Sequence, residues 1–153
     1  MSKKNFIKQY LSDESLDKIA ESISEIEKKT SGELRICIKK KRGLLEKNKS
    51  IRDLAFREFF KLDMHKTRDR SGVLLLIIFT ERKFEIIADV GINDKISTSH
   101  WDEISAIMKS HFTNEEYLEG IQFALGRIGE VLIREFKVKD DDSNELSNEV
   151  IIG

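Results

Sequence analysis

The chain has 153 residues, of which 39% are hydrophobic and 36% are charged, and its mean hydropathy is −0.40. A chain of this length builds about one domain with its own core, so the composition favours a globular protein in water over a membrane-embedded or disordered one. The 27 basic and 28 acidic residues leave a net charge of −1, which provides no general attraction for polyphosphate. We therefore expect no nucleic-acid partner.

A helix, a strand and a second helix are predicted for the first part of the chain. Ser12 precedes an apolar stripe at helical spacing, which predicts a capped helix. Polar and apolar residues then alternate over Glu33–Lys39, as in a strand. A second amphipathic helix is predicted over 51–62, and the almost continuous apolar run 73–79 indicates a strand covered on both faces.

A hairpin and two further helices are predicted for the second part. The break between residues 79 and 84 is too short for a crossover, so the strand at 84–88 must return antiparallel to its predecessor. Ser97 or Ser99 can cap a third amphipathic helix, and Thr113 or Asn114 a fourth. The predicted order is α-β-α-β-β-α-α. It gives a three-layer α/β/α sandwich whose small mixed sheet combines a parallel β-α-β unit with a β-hairpin.

The predicted domain spans residues 1–138, and an acidic C-terminal tail follows over 139–153. The tail begins with solvated charge but ends with apolar residues from Val150 to Ile152, which dock either on the body or on a partner. The N-terminus lacks an apolar signal segment, and run 73–79 is far shorter than the ~20 residues of a membrane-spanning helix. The lone cysteine, Cys37, fits a reducing compartment. These features predict a cytoplasmic protein that does not span a membrane.

Acidic residues are predicted to meet at one end of the sheet. In a parallel β-α-β unit the two strands begin at the same end, and the hairpin returns the third strand to that end. Glu33, Asp69 and Asp89 should therefore be neighbours, and Asp94 follows on the flexible segment that contains Gly91. Converging carboxylates suit a hard divalent cation, calcium or magnesium.

Ion pairing is the alternative explanation for the same acids. Lys66, Arg68 and Arg70 lie in the same polar turn as Asp69 and could neutralise carboxylates without a metal. The segment from Asp89 to Asp94 also lacks the ligand spacing of an EF-hand loop. The residue pattern alone leaves both explanations open.

Five segments, in order along the chain, resemble the TPM domain family: LSDESL (11–16), TSGELR (30–35), HKTRDRSGVL (65–74), RKFEIIADVGI (82–92) and WDEI (101–104). The resemblance implies an α/β/α sandwich. It also implies calcium binding or acid phosphatase activity, since the family includes a thylakoid-lumen protein linked to photosystem II repair and reported as an acid phosphatase, and an accessory subunit of an acetylcholine receptor. Bacterial relatives are known as well.

The family pattern carries over to Glu33, to Asp69, and to Asp89 with Gly91, whereas Asp94 rests on geometry alone. We therefore predict a divalent-cation-binding interaction module that acts beside a larger protein or membrane-associated assembly. The sequence does not identify the protein partner. The alternative function is a metal-dependent acid phosphatase at the same acids, with Arg68 or Arg70 holding the phosphoryl charge.

Overall fold

A computed structural model describes residues 5–138 and 150–152 of the chain. Its helices are α1 (Asp13–Glu27), α2 (Ile51–Lys61), α3 (Val90–Asn93), α4 (Thr98–Thr113) and α5 (Tyr117–Glu135). Its strands are β1 (Glu33–Lys39), β2 (Gly72–Ile78), β3 (Lys83–Ala88) and β4 (Ile151–Ile152). Short 3-10 turns lie at Asn5–Gln9 and in several connections.

The four strands form one mixed sheet in the order β3-β2-β1-β4. β1 and β2 are parallel, and β2 and β3 are antiparallel. The predicted β-α-β unit and hairpin are therefore confirmed. The reason is the length of each connection: the segment containing α2 is long enough for a crossover, whereas four residues between β2 and β3 allow only a hairpin.

Both faces of the sheet are covered by helices, which gives three layers. On one face, Leu34, Ile36 and Ile38 of β1 belong to a large core cluster with residues of α1, α4 and α5. On the other face, Cys37 belongs to a smaller cluster with residues of α2. Alternate side chains of a strand point to opposite faces, so β1 is buried on both faces up to its last residue, Lys39, which is partly exposed. This confirms the predicted α/β/α sandwich.

Serine caps begin the first two long helices, Ser12 as predicted and Ser50 in addition. Ser12 Oγ accepts the Ser15 N–H at 3.0 Å, and Ser50 Oγ accepts the Asp53 N–H at 3.1 Å. Each bond satisfies a backbone donor that has no partner within its helix. α1 and α2 therefore start at defined residues.

Two features differ from the predicted element order. The segment from Asp89 to Asp94 is not a plain loop but contains the single turn of α3, with Asp89 as its N-cap. Ile151 and Ile152 form β4 beside Cys37 and Ile38 of β1, so the end of the chain docks on the body. The acidic stretch 139–149 lies outside the described residues.

Within the described part, no helix has the length and apolar character needed to cross a membrane.

Candidate functional site

Three segments that carry predicted acids meet at one end of the sheet, which we call the acidic end. Glu33, the first residue of β1, is aligned with Gly72, the first residue of β2. The Glu33 N–H donates to the Ser71 carbonyl at 3.2 Å, and the Asp89 N–H donates to the Gly72 carbonyl at 2.9 Å. The starts of β1 and β2 and the end of β3 are thus joined by backbone hydrogen bonds.

Gly91 brings the turn that contains Asp69 against α3. Its N–H donates to the Arg70 carbonyl at 3.0 Å. A Cβ atom at this position would lie 2.2 Å from the Asp69 carbonyl oxygen and 2.6 Å from that of Arg70. Only glycine permits so close a backbone approach. Gly91 therefore serves as the contact point between the two loops of the acidic end.

Asp89 is held by a bidentate ion pair with Arg70. Arg70 Nε lies 2.7 Å from Asp89 Oδ2, and Arg70 Nη2 lies 2.9 Å from Oδ1. The Asp89 side chain is 5% exposed and that of Arg70 is 48% exposed. Asp89 Oδ1 also accepts the Val90 N–H at 2.7 Å. This hydrogen-bonded pairing raises the pKa of Arg70, and it engages both oxygens of the carboxylate.

Arg70 adopts a left-handed backbone conformation to make this pair, with φ of 53°. Such a conformation is unfavourable for a residue that has a Cβ atom. It is maintained here by contacts on both sides: the Arg70 carbonyl accepts the Gly91 N–H, and its side chain holds Asp89. The ion-pair explanation of the acids therefore applies to Asp89.

Glu33 belongs to a second, buried charged cluster with Glu27 and Arg35. The three residues are 2%, 5% and 5% exposed respectively. Burial, the charge of Glu33 and a hydrogen bond to Glu33 together raise the pKa of Glu27 to about 9. Glu27 is thus protonated at neutral pH, where its hydroxyl can donate to Glu33 while Oε1 accepts the Leu34 N–H at 3.3 Å.

This protonation balances the charge of the cluster. With Glu27 neutral, one negative charge on Glu33 faces one positive charge on Arg35, which stays protonated although burial lowers its pKa. Arg35 Nε and Nη2 have no hydrogen-bond partner among the described residues. The cluster therefore depends on Coulomb attraction between close charges, with incomplete hydrogen bonding.

Sequence reasoning missed Glu27 and Arg35. A signal for Glu27 exists, because Ile19, Ile23 and Glu27 are spaced four residues apart along α1 and all three are buried. A charged residue that continues an apolar helical stripe indicates a buried, partnered charge. Arg35 is less evident, since a strand that alternates polar and apolar residues is ordinarily exposed on its polar side.

The remaining predicted residues differ in exposure. Asp94 is exposed and forms the C-cap of α3, Arg68 is exposed, and Asp69 is half-buried. Over residues 5–138 and 150–152, no group of three or more histidine, cysteine, aspartate or glutamate side chains is arranged to hold a metal ion. The segments that carry Glu33, Asp69 and Asp89 nevertheless share one end of the sheet.

Comparisons with known proteins give a family for this architecture. A family model described as the TPM domain matches residues 7–131, most of the chain. The chain belongs to the TPM domain family. The matched span contains all four predicted acids and Gly91, whereas β4 lies beyond it. The acidic end is therefore part of the TPM domain itself.

Solved structures agree with this assignment. The chain is similar to the BA42 protein of the psychrophilic bacterium Bizionia argentinensis, with 30% identity and a TM-score of 0.83 over 96% of this chain and 98% of that one. It also resembles the N-terminal domain of a protein from P. gingivalis, with 15% identity and a TM-score of 0.69 over 85% of this chain and 83% of that one. The second likeness concerns the fold alone. No match to a curated protein was found.

Proposed function

We propose that this TPM domain is a binding module for another protein and that the outer face of α2 is its contact surface. The observation that carries the proposal is the exposure of two aromatic side chains on that face. Phe56 and Phe60, one helical turn apart, are 37% and 51% exposed. Neighbouring aromatic rings left in contact with water are typical of interaction surfaces.

The inner face of α2 explains why these rings stay exposed. Leu54, Ala55 and Phe59 are buried against the sheet, and this packing fixes the rotation of the helix. Phe56 and Phe60 are consequently directed outward and cannot turn into the core without exposing the buried set. A preformed surface of this kind loses little conformational entropy on binding.

The charges beside the two rings suggest the chemistry of the partner. The Arg52 guanidinium lies over the Phe56 ring, 5.2 Å from its centroid. Arg57 and Lys61 are exposed on the same helix. Arg52 and Arg57, with 57% and 55% of their side chains exposed, contact the less exposed Glu85 and Glu46 at 3.4 and 3.6 Å. Ion pairs whose cation stays in water are weak enough to exchange partners. We infer a partner segment with an apolar anchor flanked by carboxylates.

Site-specific photo-crosslinking from position 60 in cells would identify the partner, which would then be purified and titrated against the isolated chain. We expect Phe56→Ser combined with Phe60→Ser to weaken binding at least tenfold, since exposed aromatic residues dominate interface energies. Leu44→Ser combined with Leu45→Ser is the matched control, because these side chains are 79% and 91% exposed but lie before α2. Equal affinity of both double variants, or self-association of the chain through this face in sedimentation experiments, would overturn the proposal.

Cation binding at the acidic end is a separate proposal, and it is compatible with protein binding through α2. Its support is the meeting of the Glu33, Asp69 and Asp89 segments. A cation on Asp89 would compete with Arg70 for the same oxygens, so we expect binding to be weak and to strengthen in an Arg70→Gln variant. Calorimetric titration with calcium and with magnesium tests this, and an absence of heat in both proteins would refute it.

Acid phosphatase activity is the alternative that the family resemblance implies. It would use the same end of the sheet, where Arg70 is already engaged by Asp89. Turnover of p-nitrophenyl phosphate by the purified chain, with and without magnesium, is the direct assay. Activity that is lost in an Asp89→Asn variant would support the alternative, and activity that persists unchanged would indicate a contaminating enzyme.

A further inference from the structure

A cleft of about 790 Å³ lies at the end of the sheet opposite the acidic end. The end of β2 and the start of β3 form its base, and Tyr10, the end of α4 and the start of α5 form its walls. Its volume is in the range of small-molecule sites. In open α/β sheets, ligands bind outside the carboxyl ends of the parallel strands, and the cleft lies where β2 ends.

Aromatic rings form the apolar part of the cleft. Tyr10 and Phe79 are stacked, with centroids 4.2 Å apart and planes 5° from parallel. Tyr117 meets both rings edge-on at 5.3 Å. Phe112 lies 5.4 Å from Tyr117 and 5.6 Å from Phe84. Since each ring is held by others, the cleft offers flat apolar walls that are already in place before a ligand enters.

Cations surround these rings. Arg82, Lys83 and Lys109 line the cleft together with a single acid, Glu115. Within the part of the chain that the structure describes, Arg82 and Lys109 form no ion pair with a carboxylate. Lys83 lies close enough to Glu81 for its charge to act on that carboxylate, whose main partner is Arg42. The protein has a net charge of −1, so this local excess of positive charge is not a property of the whole surface. It favours an anionic ligand.

Two residues that line the cleft have unfavourable backbone conformations. Arg82, in the β2–β3 turn, has φ of 54°, and Glu115, between α4 and α5, has φ of 59°. Glycine or asparagine would adopt the left-handed region at lower cost. The use of arginine at position 82, where glycine would be less strained, is consistent with a requirement for a cationic side chain at the cleft.

We propose that this cleft binds a small organic anion with a flat apolar body. The rings of Tyr10, Phe112 and Tyr117 contact the body of the ligand. Arg82, Lys83 and Lys109 attract its carboxylate, sulfonate or phosphate group. This site is independent of the α2 face and of the acidic end, which lie on other parts of the domain.

Anilinonaphthalene sulfonate is a suitable probe, because it joins a flat aromatic body to one negative charge. We expect saturable fluorescence enhancement with one site per chain, and amide chemical-shift changes confined to residues 9–10, 77–84 and 109–117. Phenylnaphthylamine, which has the rings without the sulfonate, should bind at least fivefold more weakly. Equal affinity for the two probes, or shift changes elsewhere in the folded protein, would overturn the proposal.

Two variants separate binding from folding. Lys109→Gln removes one charge and should weaken the sulfonate probe about fivefold, as expected for one close charge pair in water, while leaving the neutral probe unaffected. Arg82→Gly should weaken it similarly without lowering the melting temperature, because glycine relieves the left-handed strain. Lys18→Gln, on the exposed face of α1, is the matched control and should have no effect. Weakening by the control as large as by Lys109→Gln would refute a local site.

Discussion

The buried carboxyl of Glu27 makes a quantitative prediction about stability and pH. The pKa of this group is about 9 in the folded protein, against an ordinary value of 4.5. Below about pH 4.5 both folded and unfolded chains are protonated, and the group's contribution is fully present. Between about pH 4.5 and 9 the unfolded chain loses the proton while the folded chain keeps it, so stability declines as the pH rises.

The magnitude follows from the width of this window. Each pH unit between the two pKa values lowers the free energy of unfolding by about 1.4 kcal/mol. From about pH 4.5 to pH 7 the loss amounts to roughly 3 kcal/mol, a substantial part of a typical domain's stability. Glu27→Gln removes the titration. The amide oxygen can still accept the Leu34 N–H, and the amide nitrogen can donate to Glu33.

We therefore expect Glu27→Gln to match the wild type near pH 4.5 and to exceed its stability by roughly 3 kcal/mol at pH 7. Urea unfolding at several pH values, followed by far-UV circular dichroism and by fluorescence of the single tryptophan, Trp101, measures the difference. Glu21→Gln, an exposed residue of the same helix, is the control. A stability difference that stays constant with pH would show that Glu27 is ionised in the folded state and would refute the reasoning.

Three further predictions concern single contacts. Gly91→Ala should destabilise the domain by about 1–3 kcal/mol, measured by thermal unfolding, since its Cβ would overlap two backbone carbonyls; an unchanged melting temperature would contradict the close approach. Cys37 should resist thiol reagents in the native protein and react after unfolding, because burial raises its pKa to about 12; rapid labelling of folded protein would contradict this. Thr30→Val should lower the free energy of unfolding by about 1–3 kcal/mol, because Thr30 Oγ1 accepts the Gly32 N–H and donates to the Leu132 carbonyl near the end of α5. Chemical unfolding measures this loss. Ser22→Ala, which removes a part-buried hydrogen bond to Gln122, should lower the stability less.

Connection lengths and periodicity made the fold predictable. The apolar run around β2 identifies a central strand, and the short break before β3 excludes a crossover. These are strong constraints because they act on whole segments and tolerate errors of one or two residues. The meeting of Glu33, Asp69 and Asp89 segments follows from the same topology, without any knowledge of side-chain positions.

The partners of those acids could not be predicted in the same way. Whether Asp89 faces a cation or Arg70 depends on distances of about an ångström, set here by the left-handed turn at Arg70 and by the backbone contact at Gly91. Glu33 interacts with Glu27 of α1, and no local sequence pattern predicts that contact. Position 151 pairs with position 37 across most of the chain, and the apolar character of the tail allowed either the body or a partner.

The near-zero net charge conceals two ends of the sheet with opposite character. At the acidic end, charges are largely satisfied within the domain: Arg70 holds both oxygens of Asp89, and protonated Glu27 lies beside Glu33. At the other end, Arg82 and Lys109 line an aromatic cleft, and neither forms an ion pair with a carboxylate among the described residues. A charged ligand gains the most binding free energy where the protein's charges have no internal partner that it must displace. The aromatic cleft is therefore the better candidate for a small-molecule site, although the acids are the more conspicuous residues in the sequence.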